Sequence, residues 1–208
     1  YLEAGDVYQV NYTFPLEATF TGDTLAWFLQ RCAVQQADHC AFVNAGRYHV
    51  ISASPELFFR LDGDRIETRP MKGTRPRGRW TEEDRGLEAD LRQSEKDRAE
   101  NVMIVDLLRN DLGRIARPGT VAAPRLFEAE PYPTVWQLTS TVTARTDAPV
   151  PRIVAALFPC GSVTGAPKVR MTHIAHELEP YPRGVYCGSL GWWAPRRQAA
   201  FNVAIRTV

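Results

Sequence analysis

Two short runs, Leu57 to Leu61 and Arg65 to Thr68, flank Asp62-Gly63-Asp64, and no other pattern constrains the fold of this chain as much. Glycine reaches the positive φ that a tight reversal needs, so the runs read as an antiparallel hairpin. Strands used up in hairpins cannot all join a parallel sheet, where each strand is followed by a helical crossover. Periodicity predicts further strands over Val7 to Phe14, Ala41 to Ile51, Val135 to Ala144, Gly184 to Ala194 and Ala199 to Val208. Helices are predicted over Thr24 to Gln36, Thr81 to Arg92, and from near Ser94 to just before Gly113. Two more follow, over Pro149 to Leu157 and over Pro167 to Leu178, the latter stopped by Pro180. Hairpins with helices between them point to an α+β fold of antiparallel sheets flanked by helices, in one domain over residues 1–208. The length suffices to bury a sizeable core.

Twenty-five basic residues against 24 acidic ones leave a net charge of +1, which selects neither nucleic acid nor an anionic membrane surface. The basic residues gather at 69–79 and 109–117 without interleaved aromatics, so nucleic-acid binding is not expected. Cys32, Cys40, Cys160 and Cys187 form no CxxC pair and no zinc spacing. No signal-peptide pattern and no apolar run of about 18 residues occurs, so a cytoplasmic protein with no membrane partner is expected.

Four constellations carry potential chemistry. The run Arg69-Pro70-Met71-Lys72-Gly73-Thr74-Arg75-Pro76 sets one lysine in a turn-forming segment crowded by Arg69, Arg75 and Arg77. Like charges disfavour a protonated lysine, and only the neutral amine is a nucleophile; a basic surface loop accounts for the same residues. Asp97 and Glu100 share one helix face, where two carboxylates with water suit Mg²⁺. Ser94 with Asp97 equally fits a capping box, and Glu100 a solvated face. Gly161-Ser162-Val163-Thr164-Gly165-Ala166-Pro167 approaches a helix start, where free N–H groups can meet an anion. It is no P-loop, because Val169 follows Lys168, and an ordinary capped helix fits it too. Glu56 borders the apolar run Leu57-Phe58-Phe59, so a partly desolvated carboxyl could hold its proton near neutrality, or simply sit at a strand edge.

Ordered along the chain, these segments resemble the chorismate-utilising enzymes, and within them the branch that makes aminodeoxychorismate. The likeness runs through Gly5 to Asn11, Ser54-Pro55-Glu56-Leu57, Met71-Lys72-Gly73-Thr74 and Ser94 to Asn101. It continues through Ile104 to Arg114, Gly161 to Lys168, and Ala204-Ile205-Arg206-Thr207. The resemblance implies Lys72 as covalent nucleophile and Glu56 as the acid that protonates the leaving 4-hydroxyl. Glu100, assisted by Asp97, would hold Mg²⁺. Substrate binding falls to Gly73, Thr74, Ser162, Thr164 and Gly165, with Tyr186 and Arg206 on the enolpyruvyl carboxylate. Ammonia would come from a glutamine amidotransferase subunit.

The same resemblance discriminates among reactions. Gln9 stands where water-using relatives carry a lysine base. Lys72 stands where anthranilate synthases carry alanine, and Gln137 where they carry a histidine linked to pyruvate elimination. Amination to 4-amino-4-deoxychorismate, in para-aminobenzoate and folate formation, is therefore expected. The alternatives are anthranilate synthase component I and a non-catalytic module that only binds chorismate-like ligands. The family pattern also implies a region before Gly5 and a glycine-rich, glutamate-bearing segment after Thr207, so residues 1–208 by themselves are expected to be inactive.

Overall fold

The computed structural model describes all 208 residues, Tyr1–Val208. After the short strand β1 (Gln9–Val10) comes helix α1 (Thr24–Gln35). Asp23 caps this helix by accepting from the amides of Leu25 and Ala26, and Gln36 ends it at φ +47°. The predicted strand over Ala41 to Ile51 is instead a hairpin, β2 (His39–Asn44) with β3 (His49–Ser54). Asn44 accepts from the Gly46 amide at 2.9 Å and Gly46 takes φ +75°, a local reversal strong enough to split one apolar run into two strands.

The hairpin β4 (Leu57–Asp62) and β5 (Arg65–Arg69) forms as predicted, turning at Gly63 with φ +59°. Pro70 then interrupts pairing, because it has no N–H, and β6 (Met71–Pro76) continues along the same edge. Helices α2 (Thr81–Gln93) and α3 (Glu95–Gly113) follow, then β7 (Ala122–Pro131) and β8 (Val135–Arg145). Strand β8 pairs with β5 and β6 on one side and with β7 on the other. The sheet closes through β10 (Gly191–Ala194) and β11 (Gln198–Asn202), with β11 beside β4, giving seven strands paired antiparallel throughout. The α+β class read from the hairpins is the one observed. Strand β7 has no counterpart in the sequence reading; Pro124 and Pro131 mask it, and prolines are tolerated there because β7 pairs only with β8.

Ile104, Val105, Leu108 and Leu112 recur at helical spacing on α3 and are buried. They meet Phe58, Phe59, Leu61, Ile66 and Val142 of the sheet, and Ile153 and Leu157 of α4 (Val150–Leu157), in the main core. Each such side chain contributes about 1.5–3 kcal/mol by leaving water. Beyond α4 come a single turn α5 (Gly161–Thr164), β9 (Gly165–Ala166) paired with β1, and α6 (Lys168–Leu178). The predicted strand Val7 to Phe14 shrinks to β1, and Tyr12 and Phe14 stay exposed. The two predicted closing strands shorten to β10 and β11, because a tight turn (Gly188 amide to Val185 carbonyl, 2.9 Å) occupies part of the first. The second breaks after Asn202, and Thr207 returns to pair with Ser52.

Candidate active site

The lysine run lies in β6, not in a loop. Met71 pairs with Thr139 and Thr74 with Gln137, so three steps on β6 match two on β8, a bulge at Lys72-Gly73. Gly73 sits at φ +101°, and a Cβ there would stand 3.0 Å from Asp97 Cβ and 3.1 Å from Leu91 Cδ1. Only glycine fits this backbone against α2 and α3. The bulge takes Lys72 out of the regular ladder.

The arginines do not crowd Lys72 as the sequence suggested. Arg69 is paired with Glu130, Arg75 with Asp90 and Asp97, and Arg77 with Asp84. Each is neutralised by a carboxylate on another element. Burial is instead what lowers the Lys72 pKa, and Glu100, Glu56 and Cys160 oppose it. Lys72 enters no ion pair within 4 Å, so its amine is unengaged beside two carboxyls.

Glu56 enters β4 from the Ser54-Pro55 step and is only 3% exposed. Its backbone is fixed on both sides: its amide donates to Ser54 Oγ at 3.2 Å and its carbonyl accepts from the Val203 amide at 3.0 Å. Burial pushes its carboxyl up to about 7; the Ser162 hydroxyl, the Met71 amide and Lys72 pull it back down. Oε1 is buried without a hydrogen-bond partner, an acceptor or acid left open for something else.

Phe158 and Cys160, just before the segment Gly161–Pro167, pack with Phe58 of β4, and the Ser162 hydroxyl acts on the Glu56 carboxyl. Ser162 Oγ lies 3.1 Å from Cys160 Sγ, and Thr164 Oγ1 donates to the Cys160 carbonyl at 2.9 Å. Gly165 takes φ +134°, and a Cβ would fall 2.1 Å from the Gln9 carbonyl oxygen. Thr74 Oγ1 donates to Gln137 Oε1 at 3.2 Å, which ties β6 to β8 beside the bulge.

Of the two acidic residues on α3, Asp97 is spoken for. Its carboxylate pairs with Arg75 at 3.0 Å, and its amide donates to Ser94 Oγ at 3.3 Å. The serine half of the capping box is thus present, while the Asp97 carboxylate is turned to Arg75. Glu100 carries no such pair and acts on Lys72 from one turn further along. No three His, Cys, Asp or Glu side chains converge as a metal cluster. Mg²⁺ is commonly held by one or two carboxylates plus substrate groups and water, and Glu100 fits that donor type where Asp97 does not.

Tyr186 and Arg206 are not joined to this centre. Tyr186, 43% exposed, lines a cavity of about 730 Å³ with Thr164 and residues of α6. Arg206 is exposed, sits at φ +49°, and donates to Gln35 Oε1 on α1 at 2.8 Å. Two buried polar residues, Asn101 and Asp111, and the half-buried Lys168 lie outside the predicted site. Asn101 bridges Leu138 and Ser140 under α3, and Lys168 pairs with Asp111. All three stand in the family-like segments, but nothing in linear order shows what they face.

The site thus sets a half-buried lysine amine without an ion pair beside two carboxyls, on an antiparallel α+β scaffold. The chain belongs to the chorismate-binding enzyme family, whose model matches residues 1–208. It is 46% identical over its whole length to aminodeoxychorismate synthase component 1 of Klebsiella aerogenes, covering 47% of that protein. It is 44% identical to the Escherichia coli K12 protein of the same name, covering 46% of it. Anthranilate synthase component 1 of Saccharolobus solfataricus is 39% identical, with 50% of its length covered. Anthranilate synthase component I of Streptococcus pneumoniae superposes with a TM-score of 0.83 at 33% identity, over 91% of this chain and 42% of that one. The chain thus spans about half the length of the curated relatives it matches. No helix is long and apolar enough to cross a membrane.

Proposed function

We propose that the polypeptide carrying this chain aminates chorismate to 4-amino-4-deoxychorismate in the cytoplasm, on the route to para-aminobenzoate and folate. Its ammonia comes from a glutamine amidotransferase subunit. The observation that carries this reading is the unengaged Lys72 amine, lowered in pKa by burial and placed beside a carboxyl that titrates near neutrality. The relatives named aminodeoxychorismate synthase support it.

In this reading neutral Lys72 attacks ring carbon 2 while Glu56 delivers its proton to the departing 4-hydroxyl. A C–N bond forms at carbon 2, both ring double bonds shift, and the C–O bond at carbon 4 breaks to release water. Ammonia then attacks carbon 4, both double bonds shift back, and the lysine amine leaves carbon 2 with its electron pair. The Glu56 carboxylate takes the proton from the new ammonium and is restored. Thr74 and Gln137 steady β6 around the nucleophile. A Mg²⁺ ion held through Glu100 would supply positive charge to the substrate's ring carboxylate.

The test is product identification from chorismate, ammonia and Mg²⁺ with the intact natural polypeptide. Aminodeoxychorismate is expected; anthranilate would select the lyase reading favoured by the Streptococcus pneumoniae likeness, and no product would select the binding module. Glu100→Gln is expected to raise the Mg²⁺ concentration for half-maximal activity about tenfold or more while leaving the circular dichroism spectrum unchanged. An unchanged midpoint would return Glu100 to an ordinary helix face.

A further inference from the structure

Lys168 is the first residue of α6, where a positive charge opposes the helix dipole. Its side chain is nevertheless 13% exposed and faces Asp111, 7% exposed, in the last turns of α3. The same ammonium donates to the carbonyl of Leu157, the last residue of α4. One side chain therefore ties the end of α4, the start of α6 and the end of α3. What lies between its backbone anchors, residues 158–167, is the loop that carries Cys160, Ser162 and Thr164. The loop is docked closely elsewhere as well. A Cβ on Gly161 would stand 3.0 Å from Leu107 Cδ2 on α3, and one on Gly165 would strike the Gln9 carbonyl. A buried ion pair contributes little net stability compared with apolar residues of the same volume. Stability alone is a poor reason for a lysine here.

We propose that Lys168 is a positioning residue: by clamping Leu157 and Asp111 together it holds the 158–167 loop so that the Ser162 hydroxyl stays against the Glu56 carboxyl. The inference rests on the reading of Glu56 as the acid, and assigns Ser162 to orienting that acid. Lys168 and Asp111 touch no reacting atom in this scheme. With the clamp lost, the Ser162 hydroxyl drifts from Glu56, the carboxyl holds its proton to higher pH, and its proton is delivered along a poorer line.

Either single truncation leaves a buried charge unpaired and is expected to unfold the chain. The decisive variant is therefore the double substitution Lys168→Met with Asp111→Leu, made in the intact natural polypeptide, which removes both charges at similar volume. It is expected to fold, to lose about tenfold or more in kcat, and to shift the high-pH limb of the kcat profile upward. Wild-type kcat, or a lower kcat with the limb unmoved or moved down, overturns the proposal. If the double variant is insoluble, Lys168→Met with Asp111→Asn replaces it; it also removes both charges, and the same upward movement is required. A Glu56→Gln control separates the two readings. If that variant keeps the limb, the limb does not belong to Glu56 and the proposed acid has failed; if it loses the limb, the Lys168 result stands on its own.

Discussion

Lys72→Ala in the intact polypeptide is expected to lower aminodeoxychorismate formation by at least about 10³-fold, with chorismate binding changed much less. The effect is large because the first C–N bond has no other candidate donor. Arg69, Arg75 and Arg77 are committed to carboxylates, guanidinium groups stay protonated, and Lys72 is the lysine that acts on Glu56. Alanine also removes a half-buried group whose charged form is disfavoured there, so folding should survive the change. The measurement is steady-state turnover at ordinary ammonia concentration, together with trapping of a substrate-derived adduct on the wild-type protein. Undiminished turnover in the variant would sink the covalent role and leave direct attack by ammonia at carbon 4.

How the lysine comes to be neutral is the point on which sequence and structure part. The run of basic residues at 69–77 is conspicuous in linear order, and like-charge crowding is the obvious inference. Its error lies in what linear order hides. Glu130, which neutralises Arg69, is 61 residues away on β7, a strand obscured by its prolines. Asp84, Asp90 and Asp97 come from two helices that pack over β6. Burial, which the sequence only suggests, sets the pKa instead. Features fixed by local rules were legible: the Gly63 hairpin, the helix over α1, the serine start of α3, and the stop of α6 before Pro180. Features decided by distant partners were not. The apolar residues of Val7 to Phe14 look like a strand, yet only Gln9 and Val10 find a partner, in β9. Likewise Lys72, Glu56, Glu100 and Ser162 could be nominated one by one, while their convergence depends on the β6 bulge and on how the 158–167 loop docks on α3.

Glu56→Gln is expected to produce opposite effects on activity and on stability. The acid step needs a protonated carboxyl, so the amide should lose about 10²–10⁴-fold in kcat, and the wild-type rate should fall as pH rises through about 7, where Glu56 ionises. Stability moves the other way. An unfolded glutamate titrates at its ordinary value of 4.5, the folded one at about 7. Between those values the native state binds more protons than the unfolded state, so native stability declines as pH rises through that window, and the loss is complete above it. The interval corresponds to roughly 3 kcal/mol. Glutamine cannot ionise and escapes this penalty, so at pH 8 the variant should be more stable than the wild type by up to that order, while at pH 4 the two should be close. Denaturant unfolding of both proteins at the two pH values, beside the kcat profile, checks the pair of effects. A variant that loses activity but shows the wild-type decline of stability with pH would mean that Glu56 is not the group that ionises near neutrality. A variant that gains stability but keeps its rate would mean that the buried carboxyl is a structural burden and the proton for the 4-hydroxyl comes from elsewhere.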